Sequence, residues 1–303
     1  MVRAETNSPP ADLANKVYVV TGANSGIGFA AAENFASRGA ALAIVCRSAE
    51  RGTAALNAIR GKTNNTNINL FVADFTSLGS VVRVAQEINH SYDEIHVLCN
   101  NAGGANAGRT VTKDGFEKTF EANHLAGFLL TNLLMPKLLL AAAHDSARVV
   151  FTSSLGHKNS PLDFDDLNLE KDYSTLRAYG RSKLMNLLNA REIHKRYGDQ
   201  GVIASSFHPG AVRTSIWKKG GILAAMLGIV MWPFMWSIKR GSDTFIWLAS
   251  SNDEAALNAN GNYFFDRRQV SIAPFATDEA AERLWRISEE LVQPFLESQS
   301  TAS

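Results

Sequence analysis

The sequence predicts an α/β fold: a doubly wound, mostly parallel seven-stranded sheet with helices on both faces. Two observations lead there. Short apolar runs alternate with amphipathic helical stretches along most of the chain. A glycine-rich turn joins the first run to the first helix. Strictly alternating strand and helix implies a parallel sheet covered on both sides, and right-handed crossovers then wind it doubly.

The runs at 17–20, 41–45, 68–72, 97–99, 148–151, 202–207 and 262–264 read as buried strands. Stretches 27–38 and 49–60 have helical spacing, and Gly39 and Gly61 follow them where helix-ending glycines belong. Residues 1–15 are polar, carry Pro9 and Pro10, and read as a flexible tail without the apolar core of a signal peptide. No composition break or repeat divides residues 16–303, which read as one domain. With 303 residues, 46% of them hydrophobic, the chain can fill a sizeable core.

Other counts narrow the function. A net charge of +1 gives no electrostatic footprint for nucleic acid. Two cysteines, Cys46 and Cys99, exclude a disulfide framework and read as buried free thiols. The seven histidines form no metal-binding pattern, so no metal is expected. The composition suits a cytoplasmic protein.

The first strand ends in TGANSGIG, residues 21–28. Gly22, Gly26 and Gly28 let the backbone turn tightly and approach a pyrophosphate, and the helix N-terminus that follows offers free N–H groups. The spacing is G-x-x-x-G-x-G. The second strand ends Cys46-Arg47 with no acid at its tip. An acid there would grip a ribose 2′-hydroxyl; Arg47 offers a planar cation for a 2′-phosphate and favours NADP(H) over NAD. Asp74, with Phe75 after the third strand, suits either an adenine amino group or the N-cap of the next helix. Asn101, Ala102 and Gly103 close the fourth strand with small residues that let backbone lie against a cofactor.

Tyr179 and Lys183 are one helical turn apart. A phenol titrates near pH 10, and an adjacent ammonium favours its ionised form. Ser154, ending the fifth strand, can hydrogen-bond a substrate oxygen. Asn123 is a polar residue in an apolar helix. Together these groups suggest a nicotinamide cofactor and acid–base chemistry on a carbonyl or alcohol.

TGANSGIG, Asp74, NNAG at 100–103, Asn123, the Ser153-Ser154 pair, YGRSK at 179–183 and Pro209-Gly210 occur in the order of the short-chain dehydrogenase/reductase family, which the chain resembles from Lys16 onward. FEANHLAGFLLTNLL at 120–134, Cys46-Arg47 and the 24 residues between Ser154 and Tyr179 resemble the branch containing retinol dehydrogenases and the WW-domain oxidoreductase. The resemblance implies a Rossmann fold, with Tyr179 as general acid/base and Lys183 tuning it. It implies that Ser154 stabilises the reacting oxygen and Asn123 holds a relay water. It places Asn24, Ser25, Ile27, Pro209, Gly210, Val212 and Thr214 at the cofactor. The expected partner is an apolar ketone, aldehyde or alcohol; association between copies of the chain is left open. Reduction of C=C bonds, or NADP sensing without turnover, are the alternative functions.

Residues 221–238, within a wider segment 216–238, form an apolar run flanked by Lys218, Lys219, Lys239 and Arg240. It is barely long enough to span a bilayer. A substrate lid after the sixth strand is the preferred reading, with peripheral membrane contact as a second role.

Overall fold

The structure is a computed structural model, and it describes residues 12–212 and 235–297. The strands are β1 (Val17–Thr21), β2 (Ala41–Cys46), β3 (Ile68–Val72), β4 (Val97–Asn100), β5 (Ala147–Thr152), β6 (Val202–Phe207), β7 (Tyr263–Phe265) and β8 (Arg268–Gln269). They lie in one sheet of order β3-β2-β1-β4-β5-β6-β7-β8. The first seven run parallel, as the continuous apolar runs predict. The sheet has eight strands rather than seven. β8 is a two-residue antiparallel return from β7, too short and too exposed to leave an apolar signature.

The helices are α1 (Gly26–Ser37), α2 (Ala49–Thr63), α3 (Leu78–Ser91), α4 (Lys118–Ala142), α5 (Thr175–Tyr197), α6 (Ile238–Ser250), α7 (Glu254–Leu257) and α8 (Asp278–Glu297). Alternate strand residues feed two cores. Val19, Leu98, Val149 and Ala204 pack under α3, α4, α5 and α8. Tyr18, Val20, Val97, Cys99 and Val150 pack under α1, α2 and α6. Cys46 and Cys99 are buried free thiols. Helix α4 is long and apolar enough to cross a membrane, but 61% of its apolar window is buried in the fold, as suits a core helix.

Gly61 does not end its helix. α2 continues to Thr63, and Asn64 takes the left-handed capping position at φ 57°, donating its N–H to Arg60 O. Asparagine is the commonest non-glycine residue to fill that position. The lid expected at 216–238 falls almost entirely outside the described residues.

The order of the sheet reverses between β1 and β4. In open parallel sheets, ligands bind in the crevice at the carboxyl ends of the strands on either side of that point. The residues singled out from the sequence collect along this edge.

Candidate active site

The β1–α1 turn is shaped by its glycines. Gly22 has φ +69° and Gly26 φ +59°, conformations that L side chains resist. A Cβ on Gly28 would lie 2.5 Å from Asn101 Nδ2 and 2.6 Å from Gly22 O. The third glycine therefore lets α1 approach its own entry turn. Ser25 is the exposed N-cap residue, and its side chain makes no capping hydrogen bond. The first-turn amides of α1 are thus left to an external acceptor. Ile27 instead turns its side chain into the core.

Arg47 is exposed at the tip of β2 and has no ion-pair partner among the described residues. Ser48 caps α2 by accepting from Arg51 N. With its amide oxygen turned toward Arg51, Asn24 accepts from Nη2 at 3.0 Å and Nε at 3.2 Å. Arg51 thus joins Arg47 beside the glycine turn. It was not singled out from the sequence; a second cation four residues after the first was the available signal.

Asp74 does not cap α3. Ser77 does, by accepting from Ser80 N. Asp74 Oδ1 accepts from Thr76 N (3.0 Å) and Thr76 Oγ1 (2.9 Å), which fixes the loop after β3. Phe75 is half-buried against the core on the α3 side of the sheet.

Three elements meet around Gly103. A Cβ there would lie 2.9 Å from Asn123 Oδ1 and 3.5 Å from Lys183 Nζ. Asn123 sits in a π-helical turn, Glu121–Leu125, inside α4. Such a bulge re-aims side chains and occurs often at functional sites. Asn123 Oδ1 accepts from Gly104 N (3.0 Å), and its Nδ2 donates to Gly104 O (2.9 Å) and Ser182 Oγ (2.9 Å).

Lys183 is buried and donates from Nζ to Thr152 O at 3.0 Å. Asn186 Nδ2 donates to the same carbonyl at 3.1 Å, and Ser153 Oγ donates to Lys183 O at 2.6 Å. The ammonium lies 5.5 Å from the centroid of the Tyr179 ring. Burial lowers its pKa to about 8. The Ser154 hydroxyl favours the Tyr179 phenolate, but burial outweighs this and raises the phenol pKa. The lowering expected from Lys183 therefore does not prevail in this structure.

Pro209 and Gly210 follow β6, with Gly210 at φ +77° against the Trp236 ring. The Val212 side chain is buried in the core, and its main chain forms an isolated parallel bridge with Trp236. Thr214 lies outside the described residues.

The sheet is doubly wound, with a glycine turn at its switch point and a phenol, ammonium, hydroxyl and amide at the same edge, the arrangement expected of a dinucleotide-dependent oxidoreductase. The short chain dehydrogenase family model matches residues 16–221, and the chain belongs to that family. It is 37% identical over 289 residues to human retinol dehydrogenase 13, covering 93% of this chain and 86% of that one. It is also 37% identical over 292 residues to the zebrafish (Danio rerio) WW domain-containing oxidoreductase, covering 93% and 69%. A crystal structure of an uncharacterized protein from Mycobacterium paratuberculosis superposes with TM-score 0.74 at 29% identity, covering 94% and 96%. The chain is thus an oxidoreductase of a family that uses nicotinamide cofactors on alcohol or carbonyl groups.

Proposed function

We propose that the protein is an NADP(H)-dependent oxidoreductase that interconverts an apolar ketone or aldehyde and the matching alcohol. The observation that carries this reading is the convergence of Tyr179, Lys183 and Asn123 at the sheet edge, with the Lys183 ammonium 5.5 Å from the centroid of the Tyr179 ring and both it and Asn123 packed against Gly103. The bound nicotinamide supplies or takes up the hydride. Ser154 and Tyr179 hold the substrate oxygen, and Tyr179 donates the proton in reduction or removes it in oxidation. The ammonium of Lys183 favours the phenolate and keeps donors free for ribose hydroxyls. Asn123 holds the water through which the site exchanges its proton with solvent.

The residues present fit the cofactor. The uncapped start of α1 suits a diphosphate, and Gly22, Gly26 and Gly28 give it close backbone. Arg47 and Arg51 suit a 2′-phosphate, which favours NADP(H). Asp74 and Phe75 would hold the adenine. Asn101, Ala102 and Gly103, with the segment from Pro209 through Thr214, would hold the ribose and carboxamide side. Leu155 is 54% exposed beside Ser154, and Leu176, 82% exposed, stands one helical turn before Tyr179. Uncovered apolar side chains there favour an apolar substrate, as does the name retinol dehydrogenase carried by a relative.

The test is reduction of decanal, all-trans-retinal and acetophenone with NADPH and with NADH, followed by loss of reduced-nicotinamide absorbance. Faster turnover with NADPH on an apolar carbonyl is expected. Preference for NADH would overturn the cofactor assignment, and turnover confined to small polar carbonyls would overturn the substrate class.

A further inference from the structure

His157 is fully buried in the 3₁₀ turn Leu155–Asn159 that follows Ser154. Its Nδ1 lies 2.7 Å from Ser154 O. A carbonyl only accepts, so Nδ1 carries the proton and Nε2 is a bare lone pair. Nε2 is buried and has no hydrogen-bond partner among the described residues. Burial also holds the imidazole pKa below its ordinary value, which keeps the ring neutral. The ring stands edge-on to Tyr263, with centroids 4.7 Å apart and planes at 73°.

Packing alone does not account for an imidazole here. An apolar ring would fill the same space without drying a lone pair. What the imidazole adds is the N–H aimed at Ser154 O.

We propose that His157 is a positioning residue: by holding the main-chain carbonyl of Ser154, it sets the Ser154 hydroxyl against Tyr179. This rests on the catalytic reading of that pair. Ser154 is gripped from both ends. Its carbonyl accepts from His157, and its Oγ accepts from Gly156 N at 3.3 Å while meeting the phenol. The same turn is pressed onto α5 beside Tyr179. A Cβ on Gly180 would come within 2.0 Å of Ser160 Oγ and 2.8 Å of Gly156 O. The turn and the helix are therefore packed as one body beside Ser154. The His157 main-chain N–H also donates to the Ser154 carbonyl, at 3.2 Å; the side chain adds the shorter bond, and without it only the weaker main-chain grip is left on the torsion that joins the two ends.

Three variants test this. His157→Asn can present an amide N–H where Nδ1 lies, His157→Gln moves that donor one methylene outward, and His157→Phe keeps a ring and removes the donor. The first readout is the titration of the Tyr179 phenol in cofactor-free protein, taken as the absorbance difference from Tyr179→Phe. Because the Ser154 hydroxyl favours the phenolate, His157→Phe and Ser154→Ala should both move this titration upward, and His157→Asn should restore it. The second is kinetics with NADPH and the fastest of the three carbonyls named above. His157→Phe should lower kcat about tenfold to a hundredfold with KM within about threefold, and His157→Asn should recover most of the loss.

An unchanged titration and kcat in His157→Phe overturn the proposal. So do equal losses in the Asn and Gln variants, which decide the matter even where the Phe variant does not fold. In a Tyr179→Phe background, His157→Phe should cost little further; a full additional loss also overturns it. Turnover retained by Tyr179→Phe alone would instead overturn the catalytic reading, and the phenol titration would still report on the His157–Ser154 link.

Discussion

Thr21 and Asn101 are fastened through both main chain and side chain. Asn101 donates its main-chain N–H to Thr21 Oγ1 and its side-chain amide to Thr21 O, each at 2.9 Å. The same hydroxyl accepts from Ala102 N (2.9 Å) and donates to Cys99 O (3.1 Å), which uses its full capacity. Asn101 Oδ1 accepts from Thr152 Oγ1 at 3.2 Å and extends the link to β5. The ends of β1, β4 and β5 are thereby locked at the switch point, where open parallel sheets bind their ligands.

Thr21→Val keeps the shape of this fully buried side chain and removes the hydroxyl. Ala102 N–H loses its acceptor, while Asn101 N–H keeps Cys99 O. A loss of about 1–3 kcal/mol is expected, read as a lower urea midpoint, with weaker NADPH binding. Thr21→Ser should keep both properties near wild type. Equal behaviour of the Val and Ser variants would show that the hydroxyl does not hold this edge together.

Tyr179→Phe keeps the ring and removes the hydroxyl that carries the transferable proton, so turnover should fall by about 10²–10⁴ while cofactor still binds. Lys183 adds a pH signature. Its pKa in the free protein is about 8, so the ammonium is present below that pH and lost above it. The value of kcat/KM for NADPH at saturating carbonyl, which reports the cofactor-free enzyme, should fall as pH rises through about 8. Lys183→Met should be slow throughout and lack this limb. A limb that survives in Lys183→Met belongs to another group.

Much of this site is legible in the sequence because its chemistry demands residue types at fixed spacings. Tyr179 and Lys183 share a helix face by arithmetic alone, and glycines recur where the backbone must turn at positive φ. Continuous apolar runs give the strands because both faces of a parallel sheet are buried. What escapes the sequence is set by tertiary contact or by residues with two uses. Arg51 reads as one more solvated helix cation until Asn24 is brought to it. Gly61 reads as a helix stop, but Asn64 supplies the left-handed cap and the helix runs on. The π-turn carrying Asn123 has no periodic signature, since it disturbs an apolar helix without changing its composition. The balance at Tyr179 is equally hidden, because burial is a property of the folded surroundings.

Arg47→Asp places a carboxylate where a 2′-phosphate is proposed to sit. NADPH affinity should weaken by about tenfold to a hundredfold relative to NADH, the worth of one or two charge-assisted hydrogen bonds. Arg51→Ala should act in the same direction by a smaller factor, since it leaves Arg47 in place. Calorimetric titration of the cofactor-free protein with each dinucleotide reads both effects without any substrate. Parallel losses for NADPH and NADH would mean that these arginines do not distinguish them.

His124 gives a stability prediction independent of catalysis. It is fully buried in α4, stacked on Phe120 and tilted against Phe128, with Nε2 2.8 Å from Ser288 Oγ. Ser288 Oγ spends its proton on Leu284 O at 2.7 Å, so it accepts from His124, and Nε2 carries the hydrogen. Nδ1 then accepts from Asn189 Nδ2 at 3.3 Å. Burial depresses the imidazole pKa to about 3. The unfolded chain takes up a proton near pH 6.5 while the native state does not, so stability is present above that pH and is lost as pH falls toward 3. Between pH 7 and 5 this one group should remove about 2 kcal/mol. His124→Gln can keep the donor to Ser288 and has nothing to titrate. It should be less stable than wild type at pH 7, because the stacked ring is gone, but should lose less between pH 7 and 5. Urea melts of both proteins across that range measure the difference in slope. Parallel slopes would place the acid sensitivity of the fold elsewhere than at His124.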